Sequence, residues 1–143
     1  MQNVCMYCAR SEALLNIMFP VCEIDGFPLY LFRNQTYRGR AVLAYSKHTE
    51  MVADMDAAEC AAFFAAAHNA VKALNTVFTP VQINLGMFGD IVRHSHLHLV
   101  PKYEGTPQFG SIFLMDPQPG VYLTDAEYGQ LAASIRAALN AAP

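Results

Sequence analysis

The residues best suited to chemistry lie in one stretch, Arg93-His94-Ser95-His96-Leu97-His98-Leu99-Val100-Pro101-Lys102, which holds three of the chain's five histidines. The residues between and after them, Leu97, Leu99 and Val100, suit an extended, half-buried segment, so the stretch is expected to form a β-strand. Strand side chains alternate faces. His94, His96 and His98 should therefore project from one face, about 6.6–6.8 Å between successive ones, with Leu97 and Leu99 turned into a core. Such a row of imidazoles can surround a small anionic group, because a neutral ring offers a donor and an acceptor and a protonated ring offers two donors. It can equally hold a metal ion.

A second chemical pair stands near the N-terminus, in Cys5-Met6-Tyr7-Cys8. A C-x-x-C in a cytosolic chain is more often a metal half-site or redox pair than a structural disulfide. The thioredoxin-like arrangement wants the pair at the start of a helix just after a strand, and no strand precedes it here. A tetrahedral zinc site needs two further ligands, for which His48 and His94 are the candidates; two plain thiols are the alternative. Cys22 and Cys60 read as small core residues.

Upstream of the histidines, residues 81–84 alternate apolar and polar like a strand entering the glycine loop Gly86-Met87-Phe88-Gly89-Asp90. Its two glycines are expected to permit backbone conformations that bring N–H groups close to a phosphate.

With Asn84, Gly86 and Gly89 ahead of His94, His96 and His98, and Pro101-Lys102 behind them, the sequence resembles the histidine-triad (HIT) family of nucleotidyl hydrolases and transferases. The resemblance covers about residues 1–103 and points to the bacterial, diadenosine polyphosphate hydrolase-like branch. It implies an α+β fold, an antiparallel sheet of five to six strands with one long central helix and a C-terminal helix. The chain is expected to be a single HIT domain over 1–143, with 104–143 a C-terminal segment.

The same resemblance implies that His96 attacks the α-phosphorus of a purine nucleotide conjugate or dinucleoside polyphosphate. The nucleotidyl-histidine is then hydrolysed to a nucleoside monophosphate. His98 and the loop N–H groups would hold the non-bridging oxygens, His94 would orient the strand end, and Asn84, Gly89, Asp90 and Asn34 would contact the phosphate or ribose. It also implies a structural zinc on Cys5, Cys8, His48 and His94, no organic cofactor, a nucleobase wall for which Phe19 and Ile24 are candidates, with ordinary core residues the alternative for both, and a homodimer.

Three departures stand out. Ser95 replaces an apolar residue, the loop is about one residue shorter than usual, and Asp90 replaces a glutamine. An anionic side chain beside a phosphate is unfavourable by up to ~4 kcal/mol at close range, so Asp90 is expected to point away or to order the loop. His98 stands where the galactose-1-phosphate uridylyltransferases carry glutamine, which favours hydrolysis over transfer. Two other classes are a non-catalytic nucleotide-binding protein and a metal-dependent hydrolase using all three histidines with Asp90.

The elements that must position these residues follow from pattern. Residues 13–21, 22–25 and 27–32 read as short strands, with Asp25-Gly26 a hairpin turn, and 34–39 as a loop before a strand at 40–46. Asp56-Ala57-Ala58-Glu59 is a capping box opening a helix whose stripe is Cys60, Phe64, Ala67, Val71, Leu74 and Phe78, stopped by Pro80. His68 lies off that stripe, as a surface residue. After a turn at 117–120, a second capping box, Thr124 to Glu127, starts a helix carrying Tyr128, Leu131, Ile135 and Leu139.

With 143 residues the chain is one domain of ordinary size. A 54% hydrophobic content against 15% charged residues is more than one small core should need, which suggests a buried subunit interface. No run of about 18 apolar residues and no basic leader followed by an apolar core indicates a membrane partner or secretion, so a cytoplasmic location is expected. The net charge of −3, with no Lys/Arg cluster, argues against nucleic acid.

Overall fold

The computed structural model describes residues 4–141. Strands β1 (Met18–Ile24), β2 (Phe27–Phe32), β3 (Ala41–Ala44), β4 (Gln82–Gly86) and β5 (His96–Lys102) form one sheet in the order β1-β2-β3-β5-β4. Every neighbouring pair is antiparallel. Helices α1 (Met6–Ala9) and α2 (Glu12–Ile17) precede the sheet, α3 (Ala57–Phe78) crosses between β3 and β4, and α4 (Asp125–Ala141) follows β5. This is the expected α+β architecture. No helix among the described residues is long and apolar enough to cross a membrane.

Alternation along β5 divides the molecule into two layers. Leu97 and Leu99 join Leu29, Leu31 and Leu43 against α3 and α4, whose contacts include Phe63, Ala66, Ala70, Leu74, Ala132 and Ile135. Each leucine fully buried here contributes roughly 1.5–3 kcal/mol. Small residues on α3 let the helix lie close to the sheet. The stripe that packs is therefore Phe63, Ala66, Ala67, Ala70, Ala73 and Leu74, while Phe64 of the expected stripe is 43% exposed. Both stripes satisfy a 3.6-residue period, and backbone proximity selects the alanine-rich one. Cys22, Cys60 and Val71 pack partly buried at the rim of this core, and His68 is exposed.

The N-terminal expectation is corrected: residues 12–17 are helical. Ser11 lies extended ahead of Glu12, and Ala13, Leu14 and Leu15 are strong helix formers without β-branching, so propensity overrides the apolar run. From Met18 to Ile24 there is one strand, not two, with a register break between Pro20 and Cys22. The hairpin at Asp25-Gly26 is present, both residues having positive φ (51° and 87°) as a tight two-residue turn requires.

Asp56 caps α3 by accepting from the Ala58 and Glu59 backbone N–H groups, at 3.0 and 3.3 Å. Glu59 does not reach back to close the box; it accepts from the Tyr45 hydroxyl and pairs with Lys47. At α4 the box closes in both directions between Thr124 and Glu127.

Residues 104–123 form neither helix nor strand and cross the sheet on the side away from α3. Polar side chains and one backbone amide bind them there. Lys102 Nζ donates to the carbonyls of Gln108 (2.5 Å) and Ser111 (2.9 Å), the Tyr37 hydroxyl donates to Gln108 Oε1 (2.5 Å) and accepts from the Leu114 amide (2.9 Å), and Gln35 N–H donates to the Val121 carbonyl (2.7 Å).

Candidate functional site

Strand pairing builds the site. His96 and His98 stand opposite Ala44 and Val42 of β3, while Asn84 and Gly86 of β4 stand opposite Val100 and His98. Directly paired residues share a face, so His96, His98, Asn84 and Gly86 all lie on the layer away from α3. His94 differs from its expectation. It precedes β5, in a segment tied to the rest by the Ser95 N–H donating to the Thr49 carbonyl at 2.7 Å. The unusual Ser95 is explained by this neighbour, since it is buried and accepts a 3.1 Å hydrogen bond from the Thr49 hydroxyl.

The three imidazoles are buried, with His96 and His98 5% and 2% exposed and their ring centroids 5.1 Å apart. Tyr7 of α1 stacks on both His94 (5.0 Å) and His96 (5.1 Å). His96 Nδ1 lies 2.5 Å from the His94 carbonyl. A carbonyl only accepts, so Nδ1 carries the proton and Nε2 keeps its lone pair. Burial pushes the pKa of His96 below its ordinary value, and that of His98 down to about 3 with the Arg40 guanidinium and His96 adding to the effect. Both rings are neutral at neutral pH.

At the other end, the ligand atoms of Cys5, Cys8, His48 and His94 all lie within 4.8 Å of one another. His94 Nδ1 is 3.4 Å from Cys5 Sγ and 3.5 Å from Cys8 Sγ, and Cys8 Sγ is 3.5 Å from His48 Nδ1. A tetrahedral zinc with usual bond lengths sets sulfur and nitrogen about 3.6 Å apart, so these residues fit the ion. His94 Nε2 donates to the Tyr45 carbonyl at 2.8 Å, which leaves the Nδ1 lone pair turned to the thiols.

Gly86 answers to packing. Neither Gly86 nor Gly89 has positive φ. A Cβ at Gly86 would sit 2.6 Å from the Phe88 ring and 3.0 Å from that of Phe113, so space is what this position needs. Those two rings, 6.2 and 6.1 Å from His98, lie between it and a cavity of about 660 Å³ lined by Asn84, Gly86, Lys102 and Phe109. That volume falls in the range of small-molecule sites. No triad histidine lines it. Gly89 and Asp90 are exposed at the loop surface.

Asn34 is buried and fully engaged within the chain. Its amide donates to Asp116 Oδ1 (3.2 Å) and the Pro117 carbonyl (3.0 Å), and its oxygen accepts from Thr36 and from the Val121 N–H. Phe19 and Ile24 face the α4 side: Phe19 stacks on Tyr128 (5.5 Å), and Ile24 joins the core beneath α3. On the histidine layer the aromatic neighbours are Tyr7, Phe32, Phe88 and Phe113 instead.

Residues 28–105 match the HIT domain family. The chain belongs to the HIT family. The matched span holds His48 and the whole triad and leaves Cys5 and Cys8 outside it. The fold is that of solved HIT structures. It resembles a histidine triad protein from Sinorhizobium meliloti (TM-score 0.81, 19% identity, covering 89% of this chain and 93% of that one). One from Marinobacter aquaeolei is as similar (0.81, 17%, covering 91% and 94%). A zinc-bound histidine triad family protein from Mycobacterium smegmatis also matches (0.67, 23%, covering 95% and 93%). No curated protein sequence matches the chain.

Arg40 stands at the start of an apolar strand, where a charged residue commonly marks a solvated end. It is completely buried, 3.3 Å from His98. Its signal was register: Arg40, Val42 and Ala44 alternate onto the layer of the histidines. Tyr7, hidden between two cysteines, and Phe113, in the segment least covered by the resemblance, carried no such signal.

Proposed function

We propose that this HIT protein is a nucleotidyl hydrolase acting at the α-phosphate of a purine nucleotide conjugate or dinucleoside polyphosphate. The observation that carries this reading is the His96 ring, neutral, with its Nδ1 proton committed to the His94 carbonyl and a lone pair left on Nε2. Membership of the HIT family supports a nucleotide ligand.

In the first step the Nε2 lone pair forms a bond to phosphorus while the bond to the leaving group breaks, and the leaving group departs with the electron pair. Water then attacks phosphorus, the P–N bond breaks, its pair returns to Nε2, and a water proton passes to solvent. The product is a nucleoside monophosphate. His98 offers a ring N–H to a non-bridging oxygen, Asn84 and the loop at Gly89 and Asp90 border the phosphate, and the cavity beyond Phe88 and Phe113 takes the nucleoside or leaving group. Cys5, Cys8, His48 and His94 would hold a structural zinc, which when bound supplies a charged centre linking the N-terminal residues to the start of β5.

One observation favours a second reading, nucleotide binding without turnover: His96 is only 5% exposed, beneath Tyr7. A hydrolysis panel of adenylyl and guanylyl phosphoramidates, sulfates and dinucleoside polyphosphates separates the two. Release of a nucleoside monophosphate from any of them supports the hydrolase. Tight monophosphate binding with no release from all supports the binder.

The protein is further proposed to be a homodimer through the outer side of α3. Ala61, Ala62, Phe64 and Ala65 are exposed there without a charge among them. Sedimentation should give twice the 15.8 kDa chain mass, and Ala65→Glu should shift it toward monomer. A monomer at every concentration rules the dimer out.

A further inference from the structure

Among the described residues Arg40 is the one charged side chain sealed completely within the histidine layer. Its Nη1 donates to the carbonyls of Leu114 (3.3 Å) and Met115 (2.9 Å), its Nη2 lies 3.3 Å from both His98 Nδ1 and Met115 Sδ, and the guanidinium rests 4.0 Å above the Phe32 ring. Among the described residues it belongs to no ion pair, and its Nε has no partner. Arginines are almost never fully buried unless paired, and the guanidinium stays protonated even here, where burial draws its pKa down to about 10.

The contact with His98 has only one chemical meaning. A guanidinium has five N–H donors and no acceptor, so the ring nitrogen facing it must accept. The proton of the neutral His98 ring must then sit on Nε2. Two residues earlier the constraint is reversed, because His96 Nδ1 faces a backbone carbonyl and must donate.

We infer that Arg40 is a positioning residue that locks His98 in the Nε2–H tautomer, so that His96 and His98 are held in opposite tautomers, one a nucleophile and the other a permanent neutral donor. Protonation of His98 would set a ring N–H against the N–H groups of Arg40, and the burial of His98 and the charge of Arg40 push the same way. His98 is thereby excluded as a general acid. The catalytic consequence rests on the nucleotidyl-hydrolase reading, whereas the tautomer pair rests on the two hydrogen bonds alone.

Long-range proton–nitrogen correlation spectra of the full chain, isotopically labelled at histidine, test this directly. The native protein should show His98 protonated only at Nε2 and His96 only at Nδ1 at neutral pH. A His98 ring protonated at Nδ1, alone or together with Nε2, overturns the assignment. Arg40→Met removes every donor at similar length and should give mixed His98 tautomers, with kcat lowered about tenfold or more and KM changed less. Arg40→Lys keeps a donor and should retain the Nε2–H form and most of the turnover. A folded Arg40→Met protein with a pure Nε2–H His98 sinks the locking role. Should that variant not fold, the Arg40→Lys spectrum decides, a mixed His98 population there counting against the lock. Native spectra as expected, with no ester hydrolysed, would remove the hydrolase reading and leave the tautomer assignment standing.

Discussion

At one end of the histidine row the neighbours of His94 are two thiols and a second imidazole, all offering lone pairs, and Cys8 and His48 reach solvent. At the other end the neighbour of His98 is a guanidinium that offers only donors, sealed under Leu114 and Met115. One end has the donor set that fits a cation and the other already contains one. Identical side chains four residues apart therefore carry opposite tasks. What separates them is chain far away in sequence: residues 5–8 close on the first, and residues 113–116 close on the last. His96, between them, is set by the backbone carbonyl of His94 and by Tyr7.

The largest effect is expected at this centre. His96→Ala removes the proposed nucleophile while leaving both ends in place, so turnover of a nucleotidyl ester should fall about 10⁴-fold or more, and nucleoside monophosphate affinity less than about tenfold. Single-turnover kinetics beside a binding titration read both. Turnover near the native rate in a folded variant would move the reactive centre away from the middle of the row.

How much of this the sequence carried depends on range. The β5 strand, the Asp25-Gly26 hairpin, the Asp56 and Thr124 caps and the four-residue cysteine–histidine cluster were legible because each follows from local pattern or from residue types with narrow uses. Residues 13–17 read as a strand from their apolar content, but Ala13, Leu14 and Leu15 are strong helix formers, and the helix they make buries Leu14 against the sheet. The roles of Gly86 and Asn34 were hidden for another reason. Both answer to residues far along the chain, Phe113 for one and the 116–121 backbone for the other, and no spacing rule reaches that distance.

The His94 end can be tested without touching His96. Zinc held by Cys5, Cys8, His48 and His94 would appear as folding stability, so chelation or Cys8→Ser should lower Tm by about 10 °C, corresponding to about 3 kcal/mol for a chain of this size. Readdition of zinc should restore the native value. Protein expressed in metal-replete medium and found free of zinc by elemental analysis would erase the contrast between the two ends.

The His98 end should declare itself in acid. Its folded pKa, about 3, lies below the ordinary histidine value near 6.5, so the folded state binds fewer protons than the unfolded chain between those limits. The sign follows: this contribution is complete above about pH 6.5 and is lost as pH falls toward 3, by about 2 kcal/mol between pH 6.5 and 5. Denaturant titrations across that range should show the slope, and His98→Gln, which does not titrate, should flatten it. An unchanged slope in His98→Gln would mean that the other buried histidines carry the whole acid sensitivity.

The smallest effect concerns the segment that closes this end. Tyr37 is buried, and its hydroxyl accepts from the Leu114 amide one residue before Met115, whose carbonyl holds Arg40. Tyr37→Phe keeps the ring and deletes the hydroxyl, leaving the Leu114 N–H without its acceptor, at about 1–2 kcal/mol. Because that N–H belongs to the covering segment, the loss should be local: hydrogen exchange at Leu114 should quicken about tenfold while exchange at the start of β5 stays unchanged. Exchange at Leu114 unaffected by the substitution would show that Lys102, Asn34 and Arg40 hold the segment without Tyr37. Faster exchange confined to residues near 114 would show that access to Arg40 and His98 is controlled from within the chain, whereas the His94 end reaches solvent through Cys8 and His48.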